Sequence, residues 1–127
     1  MISGKTTLIA HLGYPTENFK APLIYNPWFD SKGIDAVVMP MGVKPEAFAD
    51  TIAVLRRLTN ARGALVTMPH KVSTLALMDE VTPTAKAAGA CNAVLVRPDG
   101  SLLGDPCWHR LKPRAAPSKW AATCSTK

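Results

Sequence analysis

Residues 63–71, Gly-Ala-Leu-Val-Thr-Met-Pro-His-Lys, constrain what this chain can fold into more than any other stretch. Residues 64–68 read as a short buried strand, an apolar run bounded by Gly63 and Pro69. Proline cannot donate to a sheet ladder, so Pro69 ends the strand. Thr67, His70 and Lys71 then fall at or just past the strand's carboxyl end. Open α/β sheets bind their ligands in the crevice outside those ends. A lysine placed there can act as a point-charge donor or a proton shuttle, because burial moves its pKa readily. The same residue types also suit a blander role, with Lys71 opening a solvated helix that His70 caps.

The neighbouring segments supply partners for that strand. Residues 7–12 and 35–41 are apolar and read as two further strands, the run Ala36–Val37–Val38–Met39 pointing to burial on both faces. Gly13-Tyr14-Pro15 ends the first with turn chemistry. Residues 22–32 read as a helix that Pro27 would kink or shorten, with Gly33 just past its end. The clearest helix covers residues 45–58. Pro45 suits its first position, and Phe48, Ile52, Leu55 and Leu58 form one stripe. Glu46 and Asp50 near its start and Arg56 and Arg57 near its end complement the helix dipole. A further helix is expected over 71–79, with Val72, Leu75 and Met78 inward. Thr82-Pro83 marks the cap and first position of another, ending at Gly89. Residues 91–97 and 101–104, joined by the turn Pro98-Asp99-Gly100, form a hairpin. Strands alternating with helices imply right-handed βαβ units. The expected fold is α/β: a mostly parallel, three-layer α/β/α sheet with an antiparallel edge hairpin.

The chain has 127 residues, 47% of them hydrophobic and 19% charged, which suits one globular domain with a real core. No stretch approaches the roughly 18 apolar residues of a membrane span. The start has no apolar secretory segment. Cys91, Cys107 and Cys124 match no zinc pattern, and a cytoplasmic protein with free thiols is expected. The net charge is +6 and unevenly spread. Residues 1–104 carry 10 basic against 8 acidic side chains, residues 105–127 carry 5 against 1. The excess therefore sits in a tail. The expected division is a domain over 1–105 and an atypical basic tail over 106–127, three Pro among its residues and without an apolar period, disordered or loosely attached. Such a tail could touch nucleic acid, but a solvated tail is the simpler expectation.

Val66-Thr67-Met68-Pro69-His70-Lys71 resembles the V-T-x-P-H/F-K signature of the shikimate dehydrogenase family. Gly89-Ala90-Cys91-Asn92-Ala93-Val94 resembles the G-A-x-N-T/A-V motif that follows it. Gly13-Tyr14-Pro15, Pro22 and Asn26 fit the family's opening G-x-P…S-P-x-x-H-N pattern. The resemblance covers roughly residues 7–105, the substrate-binding N-terminal domain only. It implies an NADP-dependent oxidoreductase of the shikimate/quinate type, in aromatic amino acid biosynthesis. It makes Lys71 catalytic, exchanging a proton with the substrate's C3 hydroxyl. It makes Thr67 and Asn92 substrate-binding, since hydroxyl and amide groups both donate and accept.

The chain also departs from that pattern. Two Ser that bind the substrate carboxylate in the family correspond here to Phe19 and Ala21, and the family's Asn before V-T is Leu65. Neither Phe19 nor Ala21 offers a side-chain donor, and Asn18, Lys20 or Tyr25 could supply another anchor. The family's catalytic Asp falls in the register of Trp108; Asp105 lies three residues early. No G-x-G-x-x-G occurs in the chain, so no Rossmann domain is present and NADP is not expected to bind this chain alone. The change of composition in mid-motif suggests a truncated or frameshifted reading frame. Three functions are therefore expected in competition. They are an enzyme's substrate domain that is inactive alone, a non-catalytic module holding a small hydroxylated carboxylic acid, and a basic-tailed nucleic-acid binder. Self-association or a separate nucleotide-binding chain is the expected protein partner.

Overall fold

A computed structural model describes residues 1–107 and 111. Its strands are β1 (Thr7–Gly13), β2 (Ala36–Gly42), β3 (Ala61–Val66), β4 (Glu80–Val81), β5 (Ala93–Val96) and β6 (Leu102–Asp105). Its α-helices are α1 (Ala21–Ser31), α2 (Phe48–Leu55) and α3 (Pro83–Ala88), with 3₁₀ turns at Pro45–Ala47 and Ser73–Leu77. The six strands form one sheet in the order β2-β1-β3-β5-β6-β4. β1 pairs parallel with β2 and β3, β5 runs antiparallel between β3 and β6, and β4 is parallel to β6. The hairpin β5–β6 is present, but it stands one strand in from the edge. The outer place goes to β4, whose preceding Asp79 carboxylate accepts the Leu102 N–H at 2.7 Å.

The three layers follow from period-two alternation in strands covered on both faces. Ala10, Leu12, Ala64, Val66, Val94 and Val96 point to one face, where they pack with Phe48, Ile52 and Leu55 of α2. Ile9, Val38, Leu65 and Ala93 point to the other, where they meet Phe29 of α1 and Leu111. Fully removing side chains of this size from water contributes about 1.5–3 kcal/mol each. Gly63 lets the two faces close: a Cβ there would lie 1.9 Å from the Val94 carbonyl oxygen and 2.4 Å from Leu111.

Several local expectations change. The helix expected over 45–58 is a 3₁₀ turn followed by α2. The helix expected over 71–79 is the 3₁₀ turn Ser73–Leu77. Ser73 and Thr74 donate their hydroxyls to the His70 carbonyl at 3.1 and 2.6 Å, crowding an acceptor that the Thr74 N–H also reaches at 3.0 Å. Three residues per turn also rotate the inward face. Thr74 is fully buried, whereas Val72, expected inward, is 70% exposed. Helix α1 forms despite Pro27, which it carries internally, with Pro22 in its first turn. Helix α3 starts as the sequence predicts: Thr82 Oγ1 accepts the Ala85 N–H at 3.2 Å, and Gly89 closes it in the left-handed region at φ 68°.

Of the three cysteines expected to be free thiols, Cys91 is free and buried. Cys107 is disulfide-bonded, which corrects that expectation for this residue. Among the described residues no helix is long and apolar enough to cross a membrane, and no cluster of His, Cys, Asp and Glu could hold a metal ion. Apart from Pro106, Cys107 and Leu111, the expected basic tail lies outside the described residues.

Candidate functional site

Backbone hydrogen bonds gather the three predicted site residues at one end of the sheet. Thr67 follows the last residue of β3, and its N–H donates to the Leu12 carbonyl of β1 at 2.9 Å. One residue earlier, the Val66 N–H donates to the Asn92 carbonyl at 2.7 Å. The Cys91 N–H donates to the Lys71 carbonyl at 2.9 Å, and the Asn92 N–H to the Asp105 carbonyl at 3.1 Å. The turn closes when the His70 N–H donates to the Thr67 carbonyl at 3.0 Å. Thr67, Lys71 and Asn92 thus stand together at the carboxyl ends of β1, β3 and β6, where antiparallel β5 begins. Thr67 and Lys71 are half-buried and Asn92 is exposed. These three residues carry a hydroxyl, an ammonium and an amide, groups that can bond a polyol.

His70 does not cap a solvated helix. Its side chain is 1% exposed, and its Nε2 stands 2.5 Å from the Val43 carbonyl oxygen. Only an N–H can bond a carbonyl, so Nε2 carries the proton. The ring stacks on Phe48 of α2, centroids 4.1 Å apart and planes within 5°. His70 therefore anchors the turn that presents Lys71 to both the β2 exit and α2. The signature's alternation of His and Phe at this position is the sequence signal for such a stacking slot.

The departures from the family pattern also have places in the fold. Phe19 stacks on His11 of β1 with centroids 4.2 Å apart and an interplanar angle of 26°. Its tip reaches the Cα of Gly13: a Cβ there would lie 2.7 Å from Phe19 Cζ and 2.4 Å from Thr67 Cγ2. His11 is 8% exposed, and its Nδ1 is buried without a hydrogen-bond partner. Burial holds its pKa below the ordinary value of 6.5, so the ring favours its neutral form. Leu65 is buried directly across from His11 in register. Sequence reasoning missed His11, because a histidine in an apolar strand carries no spacing signal.

Asp105, at the end of β6, is 4% exposed, and its Oδ1 accepts the Cys107 N–H at 2.8 Å. Trp108, which takes the register of the family's catalytic Asp, lies outside the described residues. Burial pushes the Cys91 thiol pKa up, and the Asp105 charge pushes it further, so Cys91 is a poor nucleophile. Beside the site a cavity of about 550 Å³ opens at the carboxyl ends of β1 and β2, lined by Tyr14, Pro15, Glu17 and Lys44 among others. The Tyr14 N–H donates to the Met68 carbonyl at 3.1 Å, which ties this cavity's wall to the turn before Lys71. Lys44 Nζ lies 5.7 Å from the centroid of the Tyr14 ring.

The strand ends of a three-layer α/β domain are where such folds bind small molecules. The family model described as the shikimate dehydrogenase substrate binding domain matches residues 12–94. The chain belongs to the shikimate dehydrogenase family through that domain. It is 39% identical over 103 residues to the shikimate dehydrogenase (NADP(+)) of Paramagnetospirillum magneticum, covering 81% of this chain and 37% of that relative. A crystal structure of a shikimate dehydrogenase in complex with NADP+ is similar at a TM-score of 0.78 and 32% identity. That match covers 83% of this chain and 36% of the other. Shikimate 5-dehydrogenase from Listeria monocytogenes, in complex with shikimate and NAD, gives a TM-score of 0.76 at 32% identity, over 82% of this chain and 35% of the other. The chain thus spans little more than a third of the length of the relatives it matches.

Proposed function

We propose that this chain is the substrate-holding domain of a shikimate dehydrogenase-like oxidoreductase. It seats a small hydroxylated ring acid of the shikimate or quinate kind against Thr67, Lys71 and Asn92. The observation that supports this reading is the backbone stitching of β3, β5, β6 and the 67–71 turn, which brings the three residues to one end of the sheet. The Thr67 hydroxyl and the Asn92 amide each donate and accept, as adjacent ring hydroxyls require. Lys71 Nζ exchanges a proton with the hydroxyl whose carbon is oxidised, as a general acid in one direction and a general base in the other. His70 is the positioning residue behind it, fixed by Val43 and Phe48.

The NADP of the relatives does not fit the described residues. A dinucleotide needs a glycine-rich turn running into a helix N-terminus. Here α1, α2 and α3 are preceded by Lys20, Ala47 and Thr82, and no such turn leads into them. The chain's own residues therefore bind, orient and move a proton, and redox turnover is assigned to none of them. The same observation favours a second reading, a module that holds the hydroxylated acid without chemistry.

Titration of shikimate and quinate into the full chain, followed by ligand-observed NMR, tests the proposal. Saturable binding that weakens about tenfold or more in Lys71→Ala is expected, the loss of a hydrogen bond to a charged group. Equal binding by the variant contradicts it. Turnover of NADP by this chain alone would overturn the assignment of redox chemistry outside these residues.

A further inference from the structure

We propose that the cavity at the carboxyl ends of β1 and β2 is a second ligand site of this domain, and that it takes the zwitterion of an α-amino acid with an apolar side chain. The cavity measures about 550 Å³, a volume within the range of small-molecule sites. Tyr14 and Glu17 reach it from the loop after β1, Lys44, Glu46 and Ala47 from the segment after β2, and Thr51 from the first turn of α2. Backbone fixes this frame. The Val43 N–H donates to the Gly13 carbonyl at 2.9 Å, which ties the two strand exits together. The Ala47 N–H donates to the Lys44 carbonyl at 3.0 Å and closes the turn between the cation and α2.

The charges decide the ligand class. Lys44 and the carboxylates of Glu17 and Glu46 line this one cavity. Among the described residues none of the three enters an ion pair, unlike Arg56 with Asp79 or Arg97 with Glu80. A simple anion would face two carboxylates against one ammonium, and a simple cation would face Lys44. A zwitterion meets both signs: its carboxylate takes the Lys44 ammonium, and its own ammonium takes Glu17 or Glu46. Lys44 Nζ already stands 5.7 Å from the Tyr14 ring centroid, within cation–π reach, so the ring narrows where that long side chain ends. The Thr51 hydroxyl donates to the Ala47 carbonyl at 2.8 Å and keeps its lone pairs for a ligand N–H. The Tyr14 ring, Pro15 and Ala47 give the ligand's side chain an apolar wall.

Three related probes test this on the ¹⁵N-labelled, full 127-residue chain. L-leucine carries both charges, N-acetyl-L-leucine only the carboxylate, and L-leucinamide only the ammonium. Leucine is expected to give saturable amide shifts at Thr16, Glu17, Lys44, Glu46 and Ala47, and to bind about tenfold or more tighter than either derivative. In Lys44→Met the preference over leucinamide is expected to vanish while leucinamide itself binds as before. In the double variant Glu17→Gln, Glu46→Gln the preference over N-acetyl-leucine is expected to vanish instead. A thermal midpoint establishes that each variant is folded, and where one is not, the three probes on the native chain decide. A folded native chain without saturable shifts, or with shifts centred on Thr67 and Asn92, overturns the proposal and leaves the reading of that other site standing. So does a preference for leucine below about tenfold, or one that survives in both folded variants.

Discussion

At the scale of single residues, close approach and burial decide more than side-chain chemistry. Gly63 is the tightest point, because a methyl group there meets the Val94 backbone oxygen at 1.9 Å. Backbone cannot swing aside as a side-chain tip can, so Gly63→Ala is expected to cost about 3 kcal/mol, read from the denaturant midpoint at constant m-value. His11 makes a pH-dependent contribution. Its folded pKa lies below 6.5, the value expected of the unfolded chain, so between the two the unfolded state binds more protons. Stability therefore falls as pH drops through 6.5. In a melt series from about pH 7.5 to about pH 5, His11→Leu should lose less of its thermal midpoint than the native chain. A parallel fall in both would show that His11 does not carry this dependence. The place of Thr67, Lys71 and Asn92 at one end of the sheet was legible in the sequence from motif order and strand ends. His11 was not, since its role comes from Phe19, eight residues away across a turn.

Secondary-structure elements show where local pattern suffices and where it fails. Strands β1, β2 and β5, with helix α3, lie close to where apolar runs, prolines and caps place them, whereas β3 covers Ala61–Val66 rather than the expected 64–68 and runs through Gly63 instead of starting after it. The stretch 71–79 also departs: its first acceptor, the His70 carbonyl, is shared by the Thr74 N–H and two hydroxyls, and its end is drawn to β6 by Asp79. Edge strand β2 illustrates a tertiary device that no periodicity reveals. Asn26 of α1 donates its Nδ2 to the Val38 carbonyl at 3.0 Å and accepts the Val38 N–H on Oδ1 at 2.8 Å. These outward groups would otherwise template another strand, and Pro40 further along contributes no N–H at all. Asn26→Ala leaves both Val38 groups unpaired and should destabilise the domain by about 1–3 kcal/mol. It should also raise the associated fraction in sedimentation velocity. A variant as stable and as dispersed as the native chain would show that the edge is protected by other means.

For the whole molecule, the two apolar faces of one mixed sheet fix the three layers, and the reversal of β5 brings Asn92 beside the turn that carries Lys71. That reversal was readable from the Pro98-Asp99-Gly100 turn, whereas the capping of the sheet by β4 was not, because a two-residue strand has no period. The match to a substrate-binding domain and the place of Thr67, Lys71 and Asn92 at strand ends are the grounds of the proposed site. The most direct test is amide chemical-shift mapping of ¹⁵N-labelled full chain on addition of shikimate and quinate. Shifts concentrated at Thr67, His70, Lys71 and Asn92, and absent from the remote cavity of about 510 Å³ lined by Ile2, Thr6, Asp30 and Ile34, are the expected result. Shifts centred on that remote cavity, or none at saturating ligand on a folded sample, would contradict the account.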